Sequence, residues 1–260
     1  MSDSVSFDRA ASFYDATRVT DEQTLRGVVD LLEREVAATN GPVLEIGVGT
    51  GALALPLAAR GVPVVGVDLS GAMMGRIAEK GGGVALAGAD ATRLPFDDDC
   101  FVGAYARWVL HLIPAWRGAV DELCRVTRSG GVIAIEPGGF SGRWREVMDR
   151  MVEEIGPDAL PVGLFRDHEP VALDEAFAAA GAEPLGIVEI PGHFAGSLRR
   201  FFDEAKGRTY SWTWRASDAD LERAVAAVRS WAGGRYSDWD VALDPEAPMR
   251  WHRYRVSGST

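Results

Sequence analysis

The chemistry-bearing pattern with the clearest spacing is a glycine turn in VLEIGVGTG at residues 43–51. Gly47, Gly49 and Gly51 follow a short apolar segment, and glycine lets a ligand approach the backbone because no Cβ stands in the way. In an open α/β sheet, the first strand-to-helix turn lies where ligands bind. The turn alone does not identify the ligand, since Gly47, Gly49 and Ala52 also fit the G-x-G-x-x-A pattern of dinucleotide sites.

Three acidic residues indicate the charge of that ligand. Glu45 lies two residues before the first glycine, while Asp68 and Asp90 close the next two predicted strands. Acids at three neighbouring strand ends favour a ligand with positive charge and free ribose hydroxyls, and they disfavour a pyrophosphate. S-adenosylmethionine (SAM) carries a sulfonium and an ammonium, whereas NAD(P) carries a pyrophosphate. The acids therefore favour SAM.

Apolar periodicity predicts the elements that position these residues. Predicted strands cover 43–47, 62–69, 83–90, 101–109 and 132–136, and predicted helices cover 21–39, 51–60, 71–80 and 115–128. Strands that alternate with helices in this way are typical of a parallel sheet. Thr20 and Gln23 have capping-box spacing at the start of the first helix. Pro56 predicts that the second helix is short.

The pattern is looser after residue 137. Helices are predicted at 171–180 and 217–232, and strands at 184–190 and 249–256. The stretches at about 138–170 and 192–247 are too long for tight turns, so we expect them to form cap segments over one edge of the sheet. We expect one domain over residues 1–260, with an N-terminal lid at about 1–30.

Composition limits the partners and the compartment. The formal net charge of −11 disfavours a nucleic-acid partner, because such binding depends largely on Lys and Arg. Cys100 and Cys124 form no C-x-x-C or Cys/His cluster, so we expect no metal site and a reducing compartment. The N-terminus has no apolar signal-like region, and no apolar run approaches ~18 residues. We expect a cytoplasmic protein with no membrane partner and leave its oligomeric state open.

Five motifs together resemble a known family. VLEIGVGTG, VVGVDLSGAMM, ADATRLPF, WVLHLI and LCRVTRSGGVIAIEP, in this order, resemble the class I SAM-dependent methyltransferases, above all the group of ubiquinone and menaquinone C-methyltransferases. The opening FDRAASFYDATR is similar to that group's N-terminal FDxxAxxYDxxR. The resemblance covers about residues 7–137 and the last two strands. It implies a Rossmann-like α/β fold: a mostly parallel seven-stranded sheet, helices on both faces and an antiparallel last strand.

The resemblance also implies a reaction and a cofactor site. The reaction is in-line methyl transfer from SAM to a small-molecule acceptor, which leaves S-adenosylhomocysteine. The implied cofactor-binding residues are Tyr14, Arg18, Glu45, Gly47, Gly49, Gly51, Asp68, Leu69, Met73, Asp90, Ala91 and Arg107.

Individual roles follow from the same resemblance. The glycines lie near the methionine and ribose, and Glu45 orients the amino end. Asp68 accepts the ribose hydroxyls, and Asp90 holds the adenine amine beside Met73 and the backbone of Ala91. The main-chain carbonyl of Arg107 accepts from the ammonium, while Tyr14 and Arg18 close over the methyl and the carboxylate.

The sequence indicates the residues around the methyl acceptor less clearly. His111 and His193 are candidate proton acceptors, since an unperturbed histidine titrates near ~6.5. His168 and Trp212 are candidate acceptor-binding residues, in a region whose aromatic side chains suit a small apolar acceptor or form a core. We expect the acceptor between the N-terminal segment and the cap segments. Two alternatives stay open: a SAM-binding protein without catalysis, and an NAD(P)-dependent oxidoreductase.

Overall fold

A seven-stranded sheet organises the fold. The computed structural model describes residues 5–18, 20–139, 142–156, 170–193 and 196–258. The strands are β1 (Val43–Ile46), β2 (Val64–Asp68), β3 (Val84–Gly88), β4 (Phe101–Arg107), β5 (Thr127–Glu136), β6 (Ala182–Ile190) and β7 (Met249–Val256). Their order is β3-β2-β1-β4-β5-β7-β6. β7 is antiparallel to β5 and β6, and the other neighbouring strands are parallel. The predicted fold class is confirmed.

Helices follow most of the parallel strands. The described helices are α1 (Tyr14–Thr17), α2 (Glu22–Glu35), α3 (Ala54–Ala59), α4 (Gly71–Lys80), α5 (Trp116–Val126), α6 (Gly142–Ile155), α7 (Pro170–Ala179), α8 (Leu198–Lys206) and α9 (Asp218–Gly233). α3 is short and holds Pro56 in its first turn, where proline costs no intrahelical hydrogen bond.

The central strands of the sheet are buried on both faces, as their apolar residues require. Val43, Leu44, Glu45 and Ile46 of β1 are all buried. On one face, Val28 and Leu32 of α2 pack into a cluster with α3, and on the other α5 packs with α7. This sandwich fixes the carboxyl ends of the parallel strands, where the candidate site lies.

The chain divides into two units. The first comprises Met1–Gly138, Val162–Ile190 and Met249–Thr260, and the second Gly139–Pro161 and Pro191–Pro248. The second unit has its own aromatic and aliphatic core, formed by α6, α8 and α9 together with Trp212. None of the described helices has the length and apolar run that a membrane crossing needs.

Two local predictions differ from the structure. The N-cap of α2 is Asp21, whose carboxylate accepts from the backbone N–H of Thr24 at 2.9 Å, so the predicted capping box of Thr20 and Gln23 is wrong. Asp21 is itself a good N-cap, and the hydroxyl of Thr20 accepts from Arg107 instead. β5 begins at Thr127 rather than at 132, because the predicted Ser-Gly-Gly turn is absorbed into an irregular strand.

Candidate functional site

One cleft lies at the carboxyl ends of the parallel strands within the first unit. Its lining residues are Val5, Phe7, Tyr14, Gly47, Gly49, Val67, Asp68, Leu69, Met73, Ala89, Asp90, Ala91, Arg107, Trp108, Val109, Leu112 and Ile113. The structure thus brings nine of the implied cofactor residues to one surface: Tyr14, Gly47, Gly49, Asp68, Leu69, Met73, Asp90, Ala91 and Arg107.

The glycine turn needs glycine for two physical reasons. Gly47 and Gly49 have φ of 69° and 53°, which L-residues rarely adopt. A Cβ on Gly47 would also lie 2.6 Å from the side chain of Val109 at the end of β4. A side chain here would therefore both strain the backbone and collide with the wall of the cleft.

Asp68 links the end of β2 to this turn. One carboxylate oxygen accepts from the backbone N–H of Gly49 at 2.8 Å, and the other accepts from Ser70 N–H at 2.8 Å. Burial raises the pKa of Asp68 from its ordinary value, while the backbone donors act in the opposite direction. Each oxygen keeps acceptor capacity, so a half-buried carboxylate of fixed orientation faces the cleft.

Glu45 lies behind the glycine turn and does not line the cleft. It is buried in β1, and its carboxylate accepts from the hydroxyl of Tyr105 at 2.9 Å, its register partner on β4. Burial raises the pKa of Glu45 to about 8. Gly51 and Arg18 are likewise outside the lining, and the guanidinium of Arg18 donates to the carbonyl of Thr17 at 3.2 Å.

A turn stabilised by Asp90 lies at the expected adenine end of the cleft. Asp90 accepts from both the backbone N–H and the hydroxyl of Thr92, each at 2.9 Å. Met73 is buried at the start of α4, and its methyl would lie 3.4 Å from a Cβ placed on Gly49. Asp90, Ala91 and Met73 all line the cleft.

The N-terminal segment is tied to this site by two carboxylates that the sequence analysis missed. Asp8 accepts from the hydroxyl of Ser70 at 2.6 Å and from the backbone N–H of Ala72 at 3.3 Å. Asp15 accepts from the hydroxyl of Thr50 and forms an ion pair with Lys80. These contacts hold Phe7 and Tyr14 against the cleft.

The end of β4 supplies a cation and an aromatic ring. Nη2 of Arg107 donates to the hydroxyl of Thr20 at 2.7 Å, and the guanidinium lies 4.0 Å from the ring centroid of Trp108. Trp108 has a φ of 56°, which is uncommon for a residue other than glycine. The resemblance implies a role only for the main chain of Arg107 and none for Trp108.

The structure describes three of the four candidate acceptor residues, each in a different setting. Burial lowers the pKa of His111 to about 4, and its ring donates to the carbonyl of Pro137. It does not line the cleft. His193 is exposed in the second unit, and Trp212 is buried in that unit's core. His168 lies outside the described residues.

A SAM-like ligand fits the donor set of the cleft. The glycine turn leaves room that a Cβ would fill, and Asp68 and Asp90 supply carboxylates for hydroxyl and amine donors. In the same region of the chain, residues 44–135 match the model of the family described as "Methyltransferase domain". This stretch, about a third of the chain, is similar to a methyltransferase domain. The matched stretch begins in β1 and ends in β5.

Relatives by sequence match about half of the chain or less. The phosphatidylethanolamine N-methyltransferase of Cereibacter sphaeroides is 39% identical over 106 residues, which cover 38% of this chain and 52% of that protein. The demethylmenaquinone methyltransferase of Clavibacter sepedonicus is 38% identical over 140 residues, 51% of this chain and 56% of that protein. The resemblance to the menaquinone C-methyltransferases is confirmed, and the chain spans about half the length of the curated relatives that it matches.

A solved structure with the same fold is the [4+2]-cyclase SpnF. Its TM-score is 0.61 at 19% identity, and the superposition covers 97% of this chain and 94% of that chain. At this identity the likeness concerns the fold alone. Function must therefore be argued from the residues of the cleft.

Proposed function

We propose that this chain binds SAM and transfers its methyl group to a small-molecule acceptor. The observation that carries the proposal is that the glycine turn, Asp68 and Asp90 line one cleft with Met73 and Arg107. SAM supplies an electrophilic methyl when bound, so the chain's own residues need to bind, orient and exclude water.

Each strand end has a distinct task in this proposal. Asp68 accepts from ribose hydroxyls with the acceptor capacity that Gly49 and Ser70 leave. Asp90 accepts from the adenine amine, and Met73 supplies an apolar surface for the ring. Phe7 and Tyr14 of the N-terminal segment exclude water from the cleft.

The topology and the charge of the site both disfavour an NAD(P)-dependent oxidoreductase. The usual dinucleotide order is 3-2-1-4-5-6, whereas here the antiparallel β7 lies between β5 and β6. A pyrophosphate at the glycine turn would also meet the carboxylate of Asp68, which accepts from Gly49 N–H. That amide is therefore engaged instead of being available to a phosphate.

The environment of His111 bears on the acceptor. A histidine whose pKa is about 4 is neutral at pH 7 but is a weak proton acceptor. We therefore propose an acceptor that needs no strong base, such as a carboxylate or a tertiary amine. His193 keeps its place as a candidate base for a hydroxyl acceptor, since it is exposed.

A second candidate is a SAM-binding protein that catalyses no methyl transfer. The observation that favours it is the fold likeness to SpnF, which is named as a [4+2]-cyclase. One fold can carry unrelated reactions, because chemistry depends on the site.

Incubation with deuterated-methyl SAM and a small-molecule cell extract separates the two candidates. The proposal predicts a product that carries the deuterated methyl group, detected by mass spectrometry, and its loss with Asp68→Ala. Bound SAM or S-adenosylhomocysteine without any labelled product would support the second candidate. Native mass spectrometry of the purified chain reports the bound cofactor independently of the acceptor.

A further inference from the structure

The side chain of Arg107 is placed where a ligand anion could meet it. The residue ends β4, lines the cleft and is half-buried. Its guanidinium stacks on Trp108 at 4.0 Å from the ring centroid, and Nη2 donates to Thr20. Both contacts restrict the rotation of a planar group that binds carboxylates through parallel N–H donors.

This cation lacks a full set of partners. A guanidinium has five N–H donors, and the hydrogen bond to Thr20 is the one that Arg107 makes among the residues that the structure describes. Nε is buried without an acceptor. A buried donor without a partner is unfavourable, so an incoming anion would satisfy donors that the protein leaves open.

The neighbouring acids do not neutralise it by contact. Glu136, the register partner of Arg107 on β5, acts on the guanidinium through its charge, and no ion pair joins the two side chains among the described residues. Its Oε1 accepts from Gly138 N–H. Glu45 is engaged by Tyr105. Burial raises the pKa of Glu136 to about 7 and that of Glu45 to about 8, which weakens their negative charge at neutral pH.

The strand register places Arg107 beside the glycine turn. Ala106, the preceding residue, pairs with Ile46, and Gly47 follows Ile46 directly. A Cβ on Gly47 would touch Val109, so the turn and the end of β4 are in close approach. An amino-acid group held at the turn has its ammonium and carboxylate on one carbon, within reach of the same strand end.

We propose that the guanidinium of Arg107 binds the α-carboxylate at the methionine end of SAM. This inference rests on the proposed function and deepens it, because it names the cation that selects an amino-acid-bearing cofactor. The resemblance assigned the carboxylate to Arg18, which does not line the cleft. Thr20 and Trp108 then act as positioning residues that orient the guanidinium of Arg107.

Two ligands isolate this contact without any acceptor. S-adenosylhomocysteine carries the α-carboxylate and the ammonium, whereas 5′-methylthioadenosine keeps the adenosine and lacks both. We expect Arg107→Met to weaken S-adenosylhomocysteine binding at least about tenfold in calorimetry, because a charge-assisted hydrogen bond is lost. Binding of 5′-methylthioadenosine should stay within about twofold, which also shows that the variant is folded.

Arg117→Met is the matched control. Like Arg107, Arg117 stacks on an adjacent tryptophan: its guanidinium lies 4.3 Å from the ring centroid of Trp116. Unlike Arg107, it is exposed and does not line the cleft. The Arg117→Met variant should bind both ligands with the affinity of the unmodified chain. Arg107→Lys keeps the charge and loses the fork, so we expect a smaller loss for S-adenosylhomocysteine alone.

Three results would overturn the inference. Arg107→Met and Arg107→Lys could weaken both ligands equally, which would indicate a general structural role. The two variants could bind both ligands as tightly as the unmodified chain, which would show that Arg107 does not bind the carboxylate. Arg18→Met could cause the selective loss instead. An unmodified chain that binds neither ligand would instead contradict the proposed function itself, so the two failures are distinguishable.

Discussion

A carboxylate oxygen of Asp68 accepts the backbone N–H of Gly49 at 2.8 Å, which ties the end of β2 to the glycine turn after β1. The two residues are separated by 19 positions, yet both line the cleft. The bond orients the carboxylate and shapes the turn together. Asp68 is therefore both a proposed ligand-binding group and a support for the neighbouring strand end.

Asp68→Ala should weaken binding of SAM and S-adenosylhomocysteine roughly tenfold or more, because hydrogen bonds to a charged group contribute ~1.5–3 kcal/mol. Calorimetry measures the loss directly. Asp121→Ala on α5 is the control, since Asp121 is exposed and outside the cleft. Equal affinities of the Asp68 variant and the unmodified chain would refute the assignment.

Asp90→Ala should weaken adenosine and S-adenosylhomocysteine by similar factors, because the proposed contact is with the adenine amine. Thr92→Val is the matched control: it removes the hydroxyl that donates to Asp90 and leaves the carboxylate in place. Fluorescence titration with both ligands reports the affinities. If the Thr92 variant lost as much affinity as the Asp90 variant, Asp90 would be a turn residue and not a ligand.

Much of this site follows from local sequence pattern. The buried strands, the glycine turn and the acids at the strand ends each depend on residues close together in the chain, so periodicity predicts them. The ties of Asp8 to Ser70 and of Asp15 to Thr50 depend on tertiary contacts 62 and 35 residues apart, which no local pattern encodes.

Two helices of the second unit carried a signal that went unused. In α6, the buried residues Trp144, Val147, Met148 and Met151 follow i, i+3, i+4 and i+7. α8 repeats this spacing from Leu198 to Ala205. Their many charged residues lie on the other face, and the sequence analysis predicts only cap segments over these ranges.

Asp15→Ala should loosen the N-terminal segment, since it removes the ion pair with Lys80 and the hydrogen bond from Thr50. We expect faster amide hydrogen exchange in residues 7–18 and weaker binding of S-adenosylhomocysteine, while the ligand should slow exchange there in the unmodified chain. Glu79→Ala, an exposed change on the same helix as Lys80, is the control. Unchanged exchange in the Asp15 variant would show that the contacts with Lys80 and Thr50 do not order the segment.

Glu45 should make the stability of the fold pH-dependent. Its pKa is about 8 in the fold against an ordinary value of 4.5, so between these values the folded chain holds a proton that the unfolded chain releases. The free energy of unfolding therefore falls as pH rises from about 4.5 to about 8 and levels off above, by about 1.4 kcal/mol for each pKa unit.

Glu45→Gln removes this titration and keeps an acceptor for the hydroxyl of Tyr105. Its gain in stability over the unmodified chain should be larger at pH 9 than at pH 5.5 in urea denaturation. Glu222→Gln, an exposed change in α9, should leave the pH dependence unaltered. If the free energy of unfolding had the same pH dependence in the Glu45 variant and the unmodified chain, folding would not raise the pKa of Glu45.

Calorimetric titration of the purified chain with S-adenosylhomocysteine and, separately, with NADH tests the central claim most directly. Both ligands carry adenosine, but S-adenosylhomocysteine ends in an amino acid and NADH contains a pyrophosphate. The account predicts saturable one-to-one binding of S-adenosylhomocysteine and no saturable binding of NADH, because Asp68 and Arg107 suit the first ligand and the engaged amide of Gly49 does not suit the second. Binding of NADH without S-adenosylhomocysteine, or of neither ligand, would contradict it.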